Sequence, residues 1–90
     1  MTIQQLKYFL KVCDSGSMAK AAEELFLSHQ ALSKSIRLLE RELSCPLFRR
    51  TGTGLVLTEH GKLLRQRAQG MVESFECFCG DLARAFEEIP

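Results

Sequence analysis

The last third of the chain carries the feature that most restricts its fold. From residue 58 onward, apolar residues recur at spacings of four and three, and no Pro interrupts them before residue 90. Such a heptad pattern is typical of a helix that packs along another helix. The predicted seam consists of Leu64, Ala68, Met71, Phe75, Phe78, Leu82, Ala85 and Ile89. We expect one helix of roughly 30 residues, capped by Thr58, which is longer than a small core can cover.

A second copy of the same chain is the simplest cover for this seam, so the pattern predicts a homodimer. We therefore divide the chain into two units. Residues 1–57 form a compact unit, and residues 58–90 form a linker and dimerisation helix.

The first predicted helix begins with a capping box. Thr2 and Gln5 stand three residues apart, directly before a stripe of apolar residues with helical spacing. The stripe consists of Ile3, Leu6, Phe9, Leu10 and Cys13. The segment "DSGS", residues 14–17, is predicted to be a loop that ends this helix.

Two further helices are predicted before the first proline. Ser17 caps a short helix over residues 18–26, in which Ala21, Ala22 and Leu25 share one face. Ser28 caps a third helix that runs to about residue 43, and Pro46 prevents its continuation. A short Ala-rich helix, a tight turn and a longer helix form a helix-turn-helix, whose second helix enters the DNA major groove.

The third predicted helix has two different faces. Leu32, Ile36 and Leu39 form a narrow apolar stripe, whereas the opposite side contains no carboxylate before Glu40. The polar residues of that side are Ser28, His29, Gln30, Ser33, Lys34 and Arg37. Amide, hydroxyl and amino groups reach base edges, and hydroxyls and cations also bind phosphates. We expect this helix to read bases, with Ser28 and Ser33 holding phosphates, and Arg37 either binding a phosphate or pairing with Glu40 or Glu42.

A β-hairpin is predicted after the third helix. Leu47 with Phe48, and Leu55 with Leu57, form two predicted short strands around "TGTG", whose glycines allow the positive φ angles that tight hairpins need. Its basic and polar residues, which we predict to lie at the DNA, are Arg49, Arg50 and Thr53. The predicted fold class is therefore mainly α with a small β-wing: a three-helix core, a β-hairpin wing and a long terminal helix.

Charge is distributed unevenly along the chain. Residues 1–57 contain eight Lys and Arg against five Asp and Glu, whereas residues 58–90 contain four against six. This asymmetry favours an anionic partner for the first unit alone. The sequence shows neither a signal peptide nor a membrane-spanning run, so we expect a cytoplasmic protein. It also shows no catalytic constellation, so we expect neither an enzyme nor a cofactor.

Two other functions remain open at this point. The cysteines in "CFC", Cys77 and Cys79, could serve a thiol-based metal or redox sensor on the same scaffold. However, side chains two residues apart on a helix point about 200° apart, which disfavours a shared metal ion. Alternatively, the heptad helix could make the chain a protein-interaction module, with the basic face incidental. Cys13 is expected in the core.

The order of these motifs resembles the N-terminal region of the LysR-type transcriptional regulators. The resemblance rests on Ser17 followed by "AAEEL", "S–Q–A–LS", "I–LLE–EL", "PLF–R" and "LT–G", which together cover the first 61 residues, and on the long helix that follows. It implies a DNA-binding dimer joined through the long helices, with the third helix in the major groove and the wing at the minor groove. It also implies that the family's effector-binding domain is absent from this chain, and that in a full-length protein this domain would bind a small-molecule effector and make tetramers possible. The chain is then either a fragment that stops at the long helix or a naturally short protein, and the ending "EEIP" favours the fragment.

The chain departs from this family at positions that bear on target choice. His29 stands where the family often has Gln, and Gln30 where it often has Pro or Ser. Lys34 and Thr53 occupy positions where Arg is frequent. These departures leave the expected fold unchanged and concern the DNA sequence that would be read.

Overall fold

The computed structural model describes residues 1–90 and contains four helices and one two-stranded hairpin. The elements in chain order are α1 (Ile3–Ser15), α2 (Met18–Glu24), α3 (His29–Leu43), β1 (Phe48–Thr51), β2 (Gly54–Leu57) and α4 (Glu59–Glu87). The predicted fold class, mainly α with a small β-wing, is confirmed.

All four predicted helix caps are present. In each, a side-chain hydroxyl accepts a hydrogen bond from a backbone N–H group three residues later, which the first turn of a helix otherwise leaves without a partner. The pairs are Thr2 with Gln5 at 3.0 Å, Ser17 with Lys20 at 3.3 Å, Ser28 with Ala31 at 3.1 Å, and Thr58 with Gly61 at 3.0 Å. The Gln5 side chain also accepts from the backbone N–H of Thr2, which completes the predicted capping box.

The ends of the first two helices differ from the prediction. Asp14 and Ser15 are helical rather than part of a loop, because the helix continues until Gly16 adopts a left-handed conformation with φ 69°. The second helix ends at Glu24 instead of residue 26. Phe26 has a φ of 58°, which is costly for a bulky side chain and incompatible with a continuing helix.

Two details of the wing and the last helix were also predicted wrongly. Leu47 precedes β1 and belongs to the core rather than to the strand. Of the two hairpin glycines, Gly54 adopts a positive φ, at 136°. Ile89 lies beyond α4, which ends at Glu87, and therefore does not continue the helical seam.

The main core lies between the first three helices and the base of the wing. Leu32, Ile36 and Leu39 of α3 are buried, as their spacing predicts. They pack with residues of the other elements, namely Phe9, Val12, Ala21, Ala22 and Leu47. The Phe9 and Phe48 rings, whose centroids are 5.3 Å apart, bring the wing against α1.

A set of polar contacts, here called the joint, fixes α3, the wing and α4 to one another. Glu40 accepts a 2.6 Å hydrogen bond from the backbone N–H of Leu47. Thr58 donates from its hydroxyl to the Pro46 carbonyl at 2.7 Å, and its backbone N–H donates to the Leu47 carbonyl at 3.0 Å. A Cβ on Gly61 would lie 2.2 Å from that same carbonyl oxygen, so α4 approaches the wing as closely as only glycine allows. The "E", "P" and "LT–G" positions of the sequence pattern thus have a structural reason.

The first half of α4 packs against α1. Leu6, Ala68 and Val72 form a second buried cluster. Ion pairs flank it, Arg65 with Asp14 at 3.5 Å and Lys7 with Glu76 at 3.8 Å. Beyond residue 72 no residue of α4 is buried, and this half of the helix projects from the rest of the chain, which gives the molecule a longest dimension of 57 Å.

Candidate nucleic-acid interface

The outward face of α3 presents the polar residues that the sequence singled out. His29, Gln30, Lys34 and Arg37 are exposed, and Ser33 is half-buried between them. The hydroxyl of Ser33 lies 3.4 Å from Nδ1 of His29, one helical turn earlier. The face is therefore a continuous strip of donors and acceptors along the first two turns of the helix.

Arg37 makes neither of the ion pairs that its sequence position allowed. Glu40 is occupied by the backbone N–H of Leu47 in the joint. Glu42 pairs with the amino group of Met1 at 2.6 Å. Both nearby carboxylates thus serve the fold, and the guanidinium of Arg37 remains available to an external anion.

The two arginines of the wing face opposite ways. Arg49 is paired with Val56 and Arg50 with Leu55 in the antiparallel register. Arg50 lines one cleft with His29 and a second cleft with Ser33 and Arg37, so it belongs to the same surface as α3. Arg49 lines neither cleft. Thr53 is exposed at the tip, where its backbone N–H donates to the Thr51 hydroxyl at 3.3 Å.

The cations of α2, α3 and the wing differ from those of α1 and α4 in whether they form ion pairs. All six Lys and Arg of α2, α3 and the wing lack an ion pair: Lys20, Lys34, Arg37, Arg41, Arg49 and Arg50. Five of the six on α1 and α4 have one: Lys7, Lys11, Lys62, Arg65 and Arg84. Lys20 and Arg41 were missed as candidates, since their lack of a carboxylate partner becomes visible only in three dimensions.

This surface is chemically suited to a nucleic acid, which is a polyanion whose base edges present hydrogen-bond donors and acceptors. Unpaired guanidinium and amino groups bind phosphate oxygens, and the first backbone N–H groups of α3 carry the positive end of the helix dipole. Amide, imidazole and hydroxyl groups between them match the donors and acceptors of base edges. Arg50 and the start of α3 lie on one side of the molecule and can contact one duplex together.

The structure separates the eight predicted seam residues into two groups. Ala68 packs against Leu6 of the same chain, and only 3% of it is exposed, so its assignment to a dimer interface is corrected. Leu64 is partly covered by the same contact. Met71, Phe75 and Phe78 are open to solvent, Leu82 is half-buried and Ala85 is exposed. Phe86, exposed by 61%, extends the apolar surface and was missed because it falls between heptad positions.

The four cysteines are free, and none of them lines the two clefts that Arg50 shares with α3. Burial raises the pKa of the Cys13 thiol to about 11, although the nearby Arg65 guanidinium acts in the opposite direction. Cys45 is half-buried, and Cys77 and Cys79 are exposed on α4. The chain holds no group of three or more His, Cys, Asp and Glu arranged to bind a metal ion. None of its helices is both long and apolar enough to cross a membrane.

Similar structures are DNA-binding domains solved with DNA. The chain superposes with a TM-score of 0.90 on BenM_DBD in a complex with benA site 1 DNA, at 27% identity, with 98% of this chain and 99% of that chain covered. It superposes with a TM-score of 0.84 on CbnR_DBD in a DNA complex, at 33% identity, with 98% and 100% covered.

Sequence comparison gives the same result. The nitrogen assimilation regulatory protein nac of Klebsiella aerogenes is 40% identical over 76 residues, which are 84% of this chain and 25% of that protein. The chain thus spans about a quarter of the length of this curated relative. Residues 3–62 match the family described as bacterial regulatory helix-turn-helix protein, lysR family. Because this match covers most of the chain, from α1 through the wing to the start of α4, the chain belongs to the lysR family of bacterial regulatory helix-turn-helix proteins.

Proposed function

We propose that this chain is the sequence-specific, double-stranded DNA-binding part of a dimeric bacterial transcriptional regulator. The observation that carries the proposal is the set of six unpaired cations on α2, α3 and the wing, beside five paired ones on α1 and α4. A folded protein that leaves all the cations of one region unneutralised favours an anionic partner there. The DNA complexes of its structural neighbours support duplex DNA as that partner.

The residues have distinct tasks in this proposal. Gln30 and Lys34 reach base edges in the major groove, which accepts an α-helix. Ser28, the backbone N–H groups at the start of α3, and Arg50 hold one phosphate strand. Arg37 holds a phosphate one turn further along α3. Arg49 and Thr53, at the other face and the tip of the wing, lie along the backbone towards the minor groove.

The projecting half of α4 joins two copies in the proposed dimer. Its exposed apolar side chains would be buried against α4 of the second copy. The distribution of charge along α4 favours an antiparallel arrangement of the two helices. The first half of α4 is basic, with Lys62, Arg65 and Arg67 against Glu59. The remaining residues are acidic, with Glu73, Glu76, Asp81, Glu87 and Glu88 against Arg84. In antiparallel copies each basic half lies against an acidic half, and Arg67, the only unpaired cation of α4, gains carboxylate partners.

The proposed DNA binding involves no catalytic step and requires no cofactor, and the relatives of the chain include a regulatory protein and an HTH-type transcriptional regulator. Because its proposed partner is chromosomal DNA, the chain would act in the bacterial cytoplasm. A two-fold dimer presents two identical reading surfaces, so its target is an inverted repeat.

Selection of duplexes from a random pool by the purified chain tests the proposal. We expect enrichment of an inverted repeat whose half-sites lie about 10 base pairs, or a multiple of this, apart. A variant with Gln30→Ala and Lys34→Ala should lose this enrichment, while its circular dichroism spectrum remains that of the original chain. A folded chain that retains no duplex at low salt would contradict the proposal.

A further inference from the structure

The contact between His29 and Ser33 is the starting point. Nδ1 of the imidazole and Oγ of Ser33 are 3.4 Å apart across the first turn of α3. No other protein group forms a hydrogen bond with either side chain. The ring is exposed, so Nε2 is directed away from this contact and is free to meet a ligand. Arg50, from the wing, is the only other charged or titratable side chain that lines the cleft around His29.

Whether Nε2 of His29 is a hydrogen-bond donor or an acceptor depends on the hydrogen bond between Nδ1 and the Ser33 hydroxyl. A neutral imidazole carries one N–H donor and one acceptor nitrogen, and a hydrogen bond at one nitrogen fixes the role of the other. Where the Ser33 hydroxyl donates to Nδ1, the ring proton resides on Nε2, and Nε2 is then the donor that meets a ligand.

We propose that His29 reads one base pair in each half-site as a hydrogen-bond donor, and that Ser33 is the positioning residue that fixes this role. The proposal rests on the proposed function, since it needs α3 in the major groove. Guanine presents two acceptors, N7 and O6, on its major-groove edge, whereas cytosine presents only a donor there. A donor at His29 therefore favours guanine over cytosine at its position, and adenine N7 and thymine O4 are the other base acceptors that it can meet. This gives Ser33 a different task from the phosphate contact that the sequence predicted.

The test is duplex selection with four chains in parallel: the original, His29→Ala, Ser33→Ala and Ser33→Thr. The original chain should prefer guanine over cytosine at one position of each half-site, and His29→Ala should lose that preference alone. Ser33→Ala frees the ring to place its proton on Nδ1, so the preference for guanine over cytosine should fall about tenfold. Ser33→Thr restores the hydroxyl and should restore the preference. Competition between two duplexes that differ at this base pair gives the ratio directly.

Gln30→Ala is the matched control, because it removes a neighbouring polar group and should alter a different position of the half-site. If none of the chains retains DNA, the proposed function itself fails. If the original chain enriches an operator but His29→Ala enriches the same one, only the inference is overturned. It is likewise overturned if His29→Ala weakens all duplexes equally, which indicates a phosphate contact, or if Ser33→Ala keeps the guanine preference, or if Ser33→Thr does not restore it.

Discussion

Folding leaves two surfaces of this chain incomplete, and in different ways. The surface of α3 and the wing has its apolar residues buried but its cations without carboxylates. The projecting half of α4 has several of its charges paired but leaves Phe75, Phe78 and Phe86 in solvent. Cations without carboxylate partners favour the binding of a polyanion, whereas an exposed apolar surface favours contact with another protein surface. In our proposal the first surface therefore binds DNA, and the other binds a second copy of the chain.

The joint connects these two surfaces, and breaking it should have the largest effect. In Gly61→Ala the new methyl carbon would lie 2.2 Å from the backbone oxygen of Leu47, which cannot move without displacing the wing. We expect a loss of about 3 kcal/mol in the free energy of unfolding, or failure to fold. Urea denaturation followed by circular dichroism measures this.

Gly70→Ala is the control for that substitution, because nothing lies within 4 Å of its new Cβ. It should stabilise α4 by about 1 kcal/mol. Equal stability of the Gly61→Ala variant and the original chain would show that the approach of α4 to the wing is not as tight as described here.

The apolar surface of α4 can be removed separately. A Phe75→Ser/Phe78→Ser variant should weaken the dimer at least about a hundredfold, since each side chain contributes roughly 2 kcal/mol when buried. The unfolding free energy of the monomer should change little, because both rings are exposed in the single chain. Sedimentation equilibrium at several protein concentrations gives the dimer dissociation constant.

Phe26→Ser provides the matched comparison, because this ring is 95% exposed but lies in the turn between α2 and α3. It should leave the dimer intact. If Phe26→Ser weakened the dimer as much as the α4 variant, the interface would have to lie elsewhere.

The reactivity of the cysteine thiols should also differ between α1, which carries Cys13, and the projecting half of α4. Because burial raises the pKa of Cys13 to about 11, few of its thiols are ionised near pH 8. The thiolate is the reactive form, so iodoacetamide should modify Cys13 about a hundredfold more slowly than the exposed Cys77 and Cys79. Mass spectrometry after timed pulses measures the three rates, and in denaturing urea they should converge. Equal rates in the folded chain would mean that the Cys13 thiol is not buried against the main core.

Local patterns were sufficient to predict most of the fold. The four caps, the buried stripe of α3 and the length of α4 follow from contacts within a few residues of each other, which spacing and residue type reveal. The ends of α1 and α2 were missed, because Gly16 and Phe26 adopt left-handed conformations that the residue types alone do not fix.

Long-range contacts account for what the sequence could not predict about the two surfaces. Ala68 matches the heptad pattern as well as Phe75 does, and only the packing of α4 on α1 distinguishes them. The freedom of Arg37 likewise depends on Glu40 and Glu42 being engaged by Leu47 and Met1, which lie outside α3. Periodicity indicates which side of a helix is apolar, but it does not say which partner covers that side.

The salt dependence of DNA binding by single-cation variants tests the central claim most directly. Arg37→Ala and Arg50→Ala each remove an unpaired cation that holds a phosphate in the proposed complex, and Lys11→Ala and Lys62→Ala each remove a paired one. Each phosphate contact makes the slope of log affinity against log salt concentration steeper by about 0.9. The dimer carries each substitution in both copies, so we predict that Arg37→Ala and Arg50→Ala each make the slope shallower by about twice this amount, and that the other two variants leave it unchanged. Equal changes in both sets would contradict the account, because DNA would then respond to the net charge of the chain rather than to the surface of α3 and the wing.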